Sequence, residues 1–382
     1  MANIVKPDCR YFNGYKPCRF GGQCQGCEEF AVAQPDLLLI NLDALGDVLR
    51  TTALLPAIRR AHPEARITWL TRPRAAALLQ GNPDIDRVMV WDCDGITELR
   101  SRRFDLVLNA DKSPGSAGLT MQLEANEKRG FGLYPRGGIV ALNPEAEELF
   151  RLGLDDHAKF RVNQRTEQDL LAEALGFTHA RDPMCLVLNP QEKAGGSRRQ
   201  VGFNTGCSPA YPYKKLPLKT QMDAIRLIAP QVDGPILLLG GPEDAERNRQ
   251  IAQQVPGLVE LTPTDQGLRT GAAALDRVDV VVSGDSLGMH MAIALGKHVV
   301  AWFGPTCPQE IDLYDRGIKL LADVECAPCW RSTCDHVPMC HDRVEPDWIA
   351  AAVMRCLDAR QQGLPLDEVW REGKPSAGAW AW

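Results

Sequence analysis

"VVVSGDSLGMHMAIALGKHVVAWFGPT", Val280 to Thr306, decides the fold of this chain. "DVVVSGD" (279–285) and "HVVAWFG" (298–304) are near-continuous apolar runs, the pattern of strands covered on both faces of a parallel sheet. "MHMAIALG" between them supplies the helical crossover that two parallel strands require. A crossover with a purely structural task needs only a cap and a glycine. This turn instead carries Asp285, Ser286, Gly288 and His290.

The same alternation extends in both directions. "QVGFNTG" (200–206), "PILLLGG" (235–241) and "LVELTP" (258–263) read as strands, with "LKTQMDAIRLIA", "EDAERNRQIAQQV" and "GLRTGAAALDR" as helices. Upstream, "LLLIN" (37–41), "ARITWLT" (65–71), "RVMVWD" (87–92) and "FDLVLNAD" (104–111) form a second set of strands. Between its first two members Val48, Thr51, Leu55 and Ile58 recur at helical spacing, Asp47 stands where an N-cap belongs, and Pro63 ends the run. From 135 to 190 the pattern is weaker, with helices in "EAEELFRLGL" and "TEQDLLAEALGF". The fold class is α/β: two doubly wound parallel sheets of Rossmann type. The Gly-, Ser- and charge-rich "NPQEKAGGSRRQ" (189–200) is the expected linker. The expected divisions are a cysteine-rich segment 1–34, Rossmann-like domains 35–190 and 191–345, and a C-terminal helix and tail 346–382. "EPDWIAAAVMRCLDARQQG" reads as an amphipathic helix with Glu345-Pro346 at its start, and an aromatic "GAWAW" ends the chain.

The chain has 382 residues, 45% of them hydrophobic and 24% charged, in the range of soluble globular proteins. Its net charge of −6 gives no overall electrostatic case for nucleic acid or for an anionic membrane surface. "MANIVKPDCRYFNGYKPC" lacks the apolar core of a secretory signal, and every apolar run is too short to span a bilayer. The expected location is the cytoplasm.

Ligands of open α/β sheets sit beyond the carboxyl ends of the strands. Four such ends carry candidate residues. After 279–285, Gly288 allows close approach to the free N–H groups of a helix start and His290 offers a donor, which suits a nucleotide diphosphate. Asp285 or Ser286 acting as a plain N-cap is the alternative. After 37–41, "NLDALGDVLRT" offers Gly46 for a sharp turn and Asp47 as a helix cap or a general base, with Asp43 as a second carboxylate. After 235–241, Glu243 fits dipole compensation or ribose recognition. After 200–206, Thr205 and Gly206 end the strand, and Lys214 or Lys215 could neutralise pyrophosphate. "NLDALGDV" lacks the Gly-x-Gly-x-x-Gly of a dinucleotide-binding turn, which disfavours a dehydrogenase.

With these motifs the sequence resembles glycosyltransferase family 9, the ADP-heptose:lipopolysaccharide heptosyltransferases, over roughly residues 35–356, most firmly in "LLLINLDALGDVLRTTALLPAIRRAHP" and "VVVSGDSLGMHMAIALGKHVVAWFGPT". The resemblance implies a GT-B-like enzyme whose two domains face each other across a cleft, with the acceptor in the first, the nucleotide sugar in the second, the C-terminal helix crossing back to the first, and no catalytic metal. Carried over by motif, Asp47 would be the catalytic base, Lys214 would neutralise the donor phosphates and Glu243 would hold the ribose. Asp285, Ser286, Gly288 and His290 would hold diphosphate and heptose. The implied partners are ADP-heptose and a lipid-linked glycan acceptor, met at the inner face of the cytoplasmic membrane with at most peripheral contact. Leu287, which separates Ser286 from Gly288, and the "NLDA" loop depart from the family pattern, and "YPYKK" leaves Lys214 and Lys215 as alternatives. The alternative functions are transfer from another nucleotide sugar, transfer to a protein acceptor, or a catalytically silent metal-cluster protein on the same scaffold.

Eight of the 13 cysteines fall in two groups, Cys9, Cys18, Cys24 and Cys27, and Cys326, Cys329, Cys334 and Cys340, each containing a C-x2-C pair. In a cytosolic protein this spacing suits structural Zn²⁺ or an iron–sulfur cluster, as one site or two, with His336 and His341 as substitute ligands. Cys93, Cys185, Cys207, Cys307 and Cys356 read as buried small hydrophobes.

Overall fold

A computed structural model describes residues 5–12, 14, 18, 20–194 and 199–376. The "GAWAW" tail and the centre of the expected linker therefore lie outside the described residues. The chain forms two compact units, Met1–Leu154 with Gln168–Asp182, and Asp155–Glu167 with Pro183–Trp382.

The first unit is built on strands β1 (Asp36–Ile40), β2 (Arg66–Thr71), β3 (Arg87–Val90), β4 (Arg103–Asn109), β5 (Glu124–Leu133) and β6 (Ile139–Ala141), in the order β3-β2-β1-β4-β5-β6. Leu38 of β1 pairs in parallel with Thr68 on one side and Val107 on the other. Leu38, Ile40, Leu70, Phe104 and Val107 pack with Leu99 and Leu119 of the flanking helices, and with Leu123 just past the second of these, in one buried cluster. Truncating a leucine such as Leu38 there costs about 2–5 kcal/mol. Successive strands lie on opposite sides of the gap between β1 and β4, so the sheet reverses its winding at that point.

The second unit carries β7 (Val201–Asn204), β8 (Ile236–Leu239), β9 (Val259–Leu261), β10 (Val280–Gly284), β11 (His298–Phe303), β12 (Arg316–Leu321), β13 (Leu366–Arg371) and β14 (Lys374–Pro375). Their order is β14-β13-β12-β11-β10-β7-β8-β9, with Val282 of β10 set between Val300 of β11 and Phe203 of β7. Here the winding reverses between β7 and β10.

Three features differ from the sequence expectation. Each sheet ends in an antiparallel edge, β5 with β6 and β13 with β14. The second hairpin turns through Glu372 and Gly373, both at positive φ, the geometry that matches the twist of paired strands. The helix Pro346–Gln362 does not cross back to the first unit. It buries Ile349, Ala352, Val353, Cys356 and Leu357 in the core of its own unit with Val300, Trp302 and Ile318. Of the five scattered cysteines, Cys207, Cys307 and Cys356 are buried, Cys185 is half-buried, and Cys93 is exposed because it opens the surface helix Cys93–Arg100.

Candidate active site

A polar cluster occupies the point where β7 and β10 diverge. Asn204, the last residue of β7, is buried, and its amide donates to Ser283 Oγ at 3.0 Å and Ser286 Oγ at 2.9 Å. Ser286 occupies the N-cap of the helix Leu287–Ala294, yet its hydroxyl makes no capping bond. Turned towards Asn204 and Ser283, it does not cap the first N–H groups of the helix, the arrangement that favours an anion. Gly288 lies one residue inside that helix, where a Cβ would fall 2.7 Å from Asn204 Cγ. His290 is buried, with Nε2 3.5 Å from Asp285 Oδ1, and its Nδ1 has no hydrogen-bond partner among the described residues.

The two lysines have separate partners. Lys214 Nζ lies 3.0 Å from Asp285 Oδ2, beside the helix start. Lys215 Nζ lies 3.0 Å from Asp244 Oδ1 at the end of β8. Asp244 is buried and also accepts from the Gly241 N–H, which ties the "GPED" turn together. Glu243 beside it is exposed at the carboxyl end of the strand. The Thr205 hydroxyl is buried and donates to Asn248, and a Cβ on Gly206 would fall 1.8 Å from Asp244 Oδ2. Both residues shape the loop from within, and neither presents a side-chain group to a ligand.

A segment from mid-sequence and a C-terminal loop complete this face. Trp330 sits at φ 50°, a left-handed conformation that costs a non-glycine residue on the order of 1–3 kcal/mol. Its N–H donates to the Pro305 carbonyl at 2.8 Å and its indole N–H to Cys307 Sγ at 3.2 Å. Its ring meets Tyr211 edge-on at 5.5 Å, with the Lys214 ammonium 5.2 Å and the Lys159 ammonium 4.8 Å from the ring centroid. Arg161 donates to the carbonyls of Ala327 and Glu325, both at 2.7 Å. Burial pushes the Cys307 thiol up to about 12, with Glu310 and Asp285 adding to the effect.

In the first unit the corresponding switch point, between β1 and β4, holds a carboxylate cluster. Asp47 is not the N-cap. The helix Leu45–Thr51 starts after Ala44, and the Asp47 carboxylate reaches back to the Ala44 N–H at 3.2 Å. Its other oxygen accepts from Arg50 at 2.5 Å, and the side chain is 43% exposed, enough to meet a substrate. Gly46 lies within the first turn. Asp43 is exposed and accepts from Arg72 at 3.1 Å. Sequence reasoning passed over Asp111, which ends the "LNAD" run. It is buried and accepts from the N–H groups of Leu42 at 2.9 Å and Ser113 at 2.6 Å, fixing the loop that carries Asp43.

Neither cysteine group is assembled as a ligand set: among the described residues no three His, Cys, Asp or Glu side chains form a group that could hold a metal. Cys9 is buried and bridges Val32 through its backbone, whereas Cys18, Cys24 and Cys27 are half-buried. Cys326, Cys329, Cys334 and Cys340 do line one hollow of about 620 Å³, with His336. Burial pushes the Cys340 thiol up to about 12, and Cys329, Cys326 and Cys334 add to that rise, so those three sulfurs lie within electrostatic reach of Cys340. None of the described helices is long and apolar enough to cross a membrane.

Two open α/β sheets, each with its polar residues gathered where the strand order reverses, have the build of a GT-B-type glycosyltransferase. The structure is similar to that of the glycosyl transferase family 9 from Veillonella parvula DSM 2008, at TM-score 0.67 and 19% identity, over 85% of this chain and 97% of that one. Residues 96–339 match glycosyltransferase family 9 (heptosyltransferase), and the chain belongs to that family. It is therefore a glycosyltransferase. Among curated relatives, the lipopolysaccharide core heptosyltransferase OpsX of Haemophilus influenzae is 24% identical over 296 residues, 72% of this chain and 80% of OpsX. The fold is also shared with TibC of enterotoxigenic E. coli H10407. That protein is described as a dodecameric iron-containing heptosyltransferase in complex with ADP-D-β-D-heptose, at TM-score 0.54 and 14% identity over 94% of this chain and 88% of that one.

Proposed function

We propose that this enzyme transfers a heptosyl group from ADP-heptose to a hydroxyl of a lipopolysaccharide-core acceptor, with inversion at the anomeric carbon. The observation that carries the reading is the Lys214–Asp285 pair beside the uncapped start of helix Leu287–Ala294, in a chain of this family. An ammonium and free backbone N–H groups suit a diphosphate, while a carboxylate in the same spot can accept only from sugar hydroxyls. Glu243, exposed at the end of β8, accepts from the ribose. Asp47 removes the proton of the acceptor hydroxyl as that oxygen attacks the anomeric carbon. The bond from that carbon to ADP breaks on the opposite face, and Lys214, His290 and the helix start stabilise the charge gathering on the leaving diphosphate. Asp43 and Gly46 shape the acceptor loop around Asp47. In this reading the second unit binds the donor, the first binds the acceptor, and catalysis uses no metal. The enzyme works in the cytoplasm on a lipid-linked glycan at the membrane face, with at most peripheral contact.

The second cysteine group adds a structural role. Cys326, Cys329, Cys334 and Cys340 line one hollow and, drawn together, would supply the four thiolates that zinc or an iron–sulfur cluster takes; the iron-containing TibC shares this fold. Its function is to hold the loop, since hexosyl or heptosyl transfer involves no redox change. For Cys9, Cys18, Cys24 and Cys27 no feature of the described residues favours a ligand set over reduced thiols.

Purified protein incubated with ADP-heptose and a heptose-deficient lipopolysaccharide core is expected to release ADP in step with acceptor glycosylation. Turnover with UDP-sugars but not with ADP-heptose would refute the donor, and no turnover with any glycan would refute the acceptor. Metal analysis with an absorption spectrum separates zinc from iron–sulfur, and a folded, metal-free protein would end the cluster reading.

A further inference from the structure

We propose that Trp330 is a positioning residue for the donor, holding the Lys214 ammonium at the diphosphate site and so making the cysteine-rich loop one wall of that site. This rests on the assignment of Lys214 to the diphosphate.

The argument starts from what an ammonium needs. Lys214 has three N–H donors, of which Asp285 takes one at 3.0 Å. A second oxygen acceptor would fix the side chain more firmly but would consume a donor that the diphosphate requires. Aromatic faces avoid that conflict, because the ring quadrupole attracts the cation without an oxygen acceptor. Lys214 has two such rings, Tyr211 at 5.4 Å and Trp330 at 5.2 Å, and the two rings brace each other edge to face at 87°.

Trp330 is itself held from several directions. Its backbone N–H and that of Cys329 both donate to the Pro305 carbonyl, just past β11. Its indole N–H is fixed on Cys307, and a second ammonium, that of Lys159, lies over the same ring and within 3.7 Å of Glu310. The loop continues to His341, whose ring nitrogen contacts the Tyr213 carbonyl at 3.3 Å, one residue before Lys214. The loop from Trp330 to His341 and the lysine loop therefore share contacts at both ends. A strained tryptophan braced this heavily, with its ring towards the donor lysine, is a structural device for setting that ammonium in place.

The test is a double-mutant cycle read by calorimetric titration of ADP, which needs no acceptor. Trp330→Leu is expected to weaken ADP binding by about two- to thirty-fold, the span of a cation–π contact from exposed to desolvated. Trp330→Phe should recover most of that loss. Lys214→Met should weaken binding more, and adding Trp330→Leu to it should change nothing beyond about twofold, because the ring acts only through the ammonium. Wild-type binding by Trp330→Leu, or losses that multiply in the double variant, would overturn the proposal. Wild-type binding by Lys214→Met would instead overturn the diphosphate assignment beneath it. If Trp330→Leu does not fold, the same cycle on Trp330→Met, which fills the space without a ring, decides the matter: coupling to Lys214 supports the proposal and its absence refutes it.

Discussion

Replacing Lys214 and Lys215 one at a time separates ligand chemistry from fold stability. Each ammonium sits 3.0 Å from a carboxylate, with side-chain exposures of 13% and 10% for Lys214–Asp285 and 23% and 4% for Lys215–Asp244. At that distance two unit charges attract by about 5 kcal/mol for an effective dielectric of ~20. Removing one member of such a pair strands the other, which costs about 3–5 kcal/mol when the site is fully buried. Lys214→Met and Lys215→Met should therefore both lower the urea midpoint, by amounts corresponding to about 3 kcal/mol. Their effects on ADP should diverge. Lys214→Met removes a charged donor worth about 1.5–3 kcal/mol and leaves Asp285 beside the diphosphate, so ADP affinity should fall by about 10- to 150-fold. Lys215→Met leaves the helix start and Asp285 intact, and ADP affinity should change by less than about threefold. Calorimetry with ADP and urea titration on both variants make the comparison. Equal ADP affinity for Lys214→Met and wild type, or the larger loss in Lys215→Met, would refute the reasoning.

Asp47→Asn should reduce kcat by about 10²- to 10⁴-fold with the donor KM nearly unchanged, as measured by ADP release at saturating acceptor. Gly288→Ala places a Cβ 2.7 Å from the Asn204 side chain, and the shift it forces should weaken ADP binding while a distant helix substitution does not. Folding should also be acid-sensitive through His298 of β11, buried and pushed down to about 4 by burial, with Arg360 and Arg316 adding to the effect. The unfolded chain takes up this proton below about pH 6.5 and the folded one only near pH 4, so stability present above pH 6.5 is lost as pH falls between them. Between pH 7.5 and 5 the loss amounts to about 2 kcal/mol, readable as a lower urea midpoint that His298→Val should flatten.

Strands that carry the switch points were legible because burial on both faces writes itself as unbroken apolar runs. β12 was passed over because Arg316, Gly317 and Lys319 interrupt its run. Lys319 is nonetheless buried, its ammonium donating to the Pro308 carbonyl at 3.1 Å and to that of Ile311, contacts to the turn preceding the strand that no apolar pattern announces. β5, "EANEKRGFGL", leaves its polar half only partly covered, so its first residues read as loop. The helix Pro346–Gln362 was recognised as a helix but given the wrong partner, since an apolar stripe does not say which sheet it covers. At the site, strand-end motifs pointed to Lys214, Asp285 and His290 but not to Asn204, whose role depends on β7 and β10 becoming neighbours across a long stretch of chain. Trp330 lay hidden inside a cysteine motif that drew attention to its sulfurs.

The segment Asp155–Glu167 belongs to the second unit although most of that unit follows residue 182. During synthesis Lys159 and Arg161 emerge well before the carbonyls of Glu325 and Ala327 and the indole of Trp330 that they will contact. At roughly 5–20 residues per second, that wait lasts about 8–35 seconds. A nascent chain of this protein must therefore keep the helical turn Ala158–Val162, with its Lys159 and Arg161, unengaged while its later half is still being made, and a fragment starting at residue 183 would never recover it.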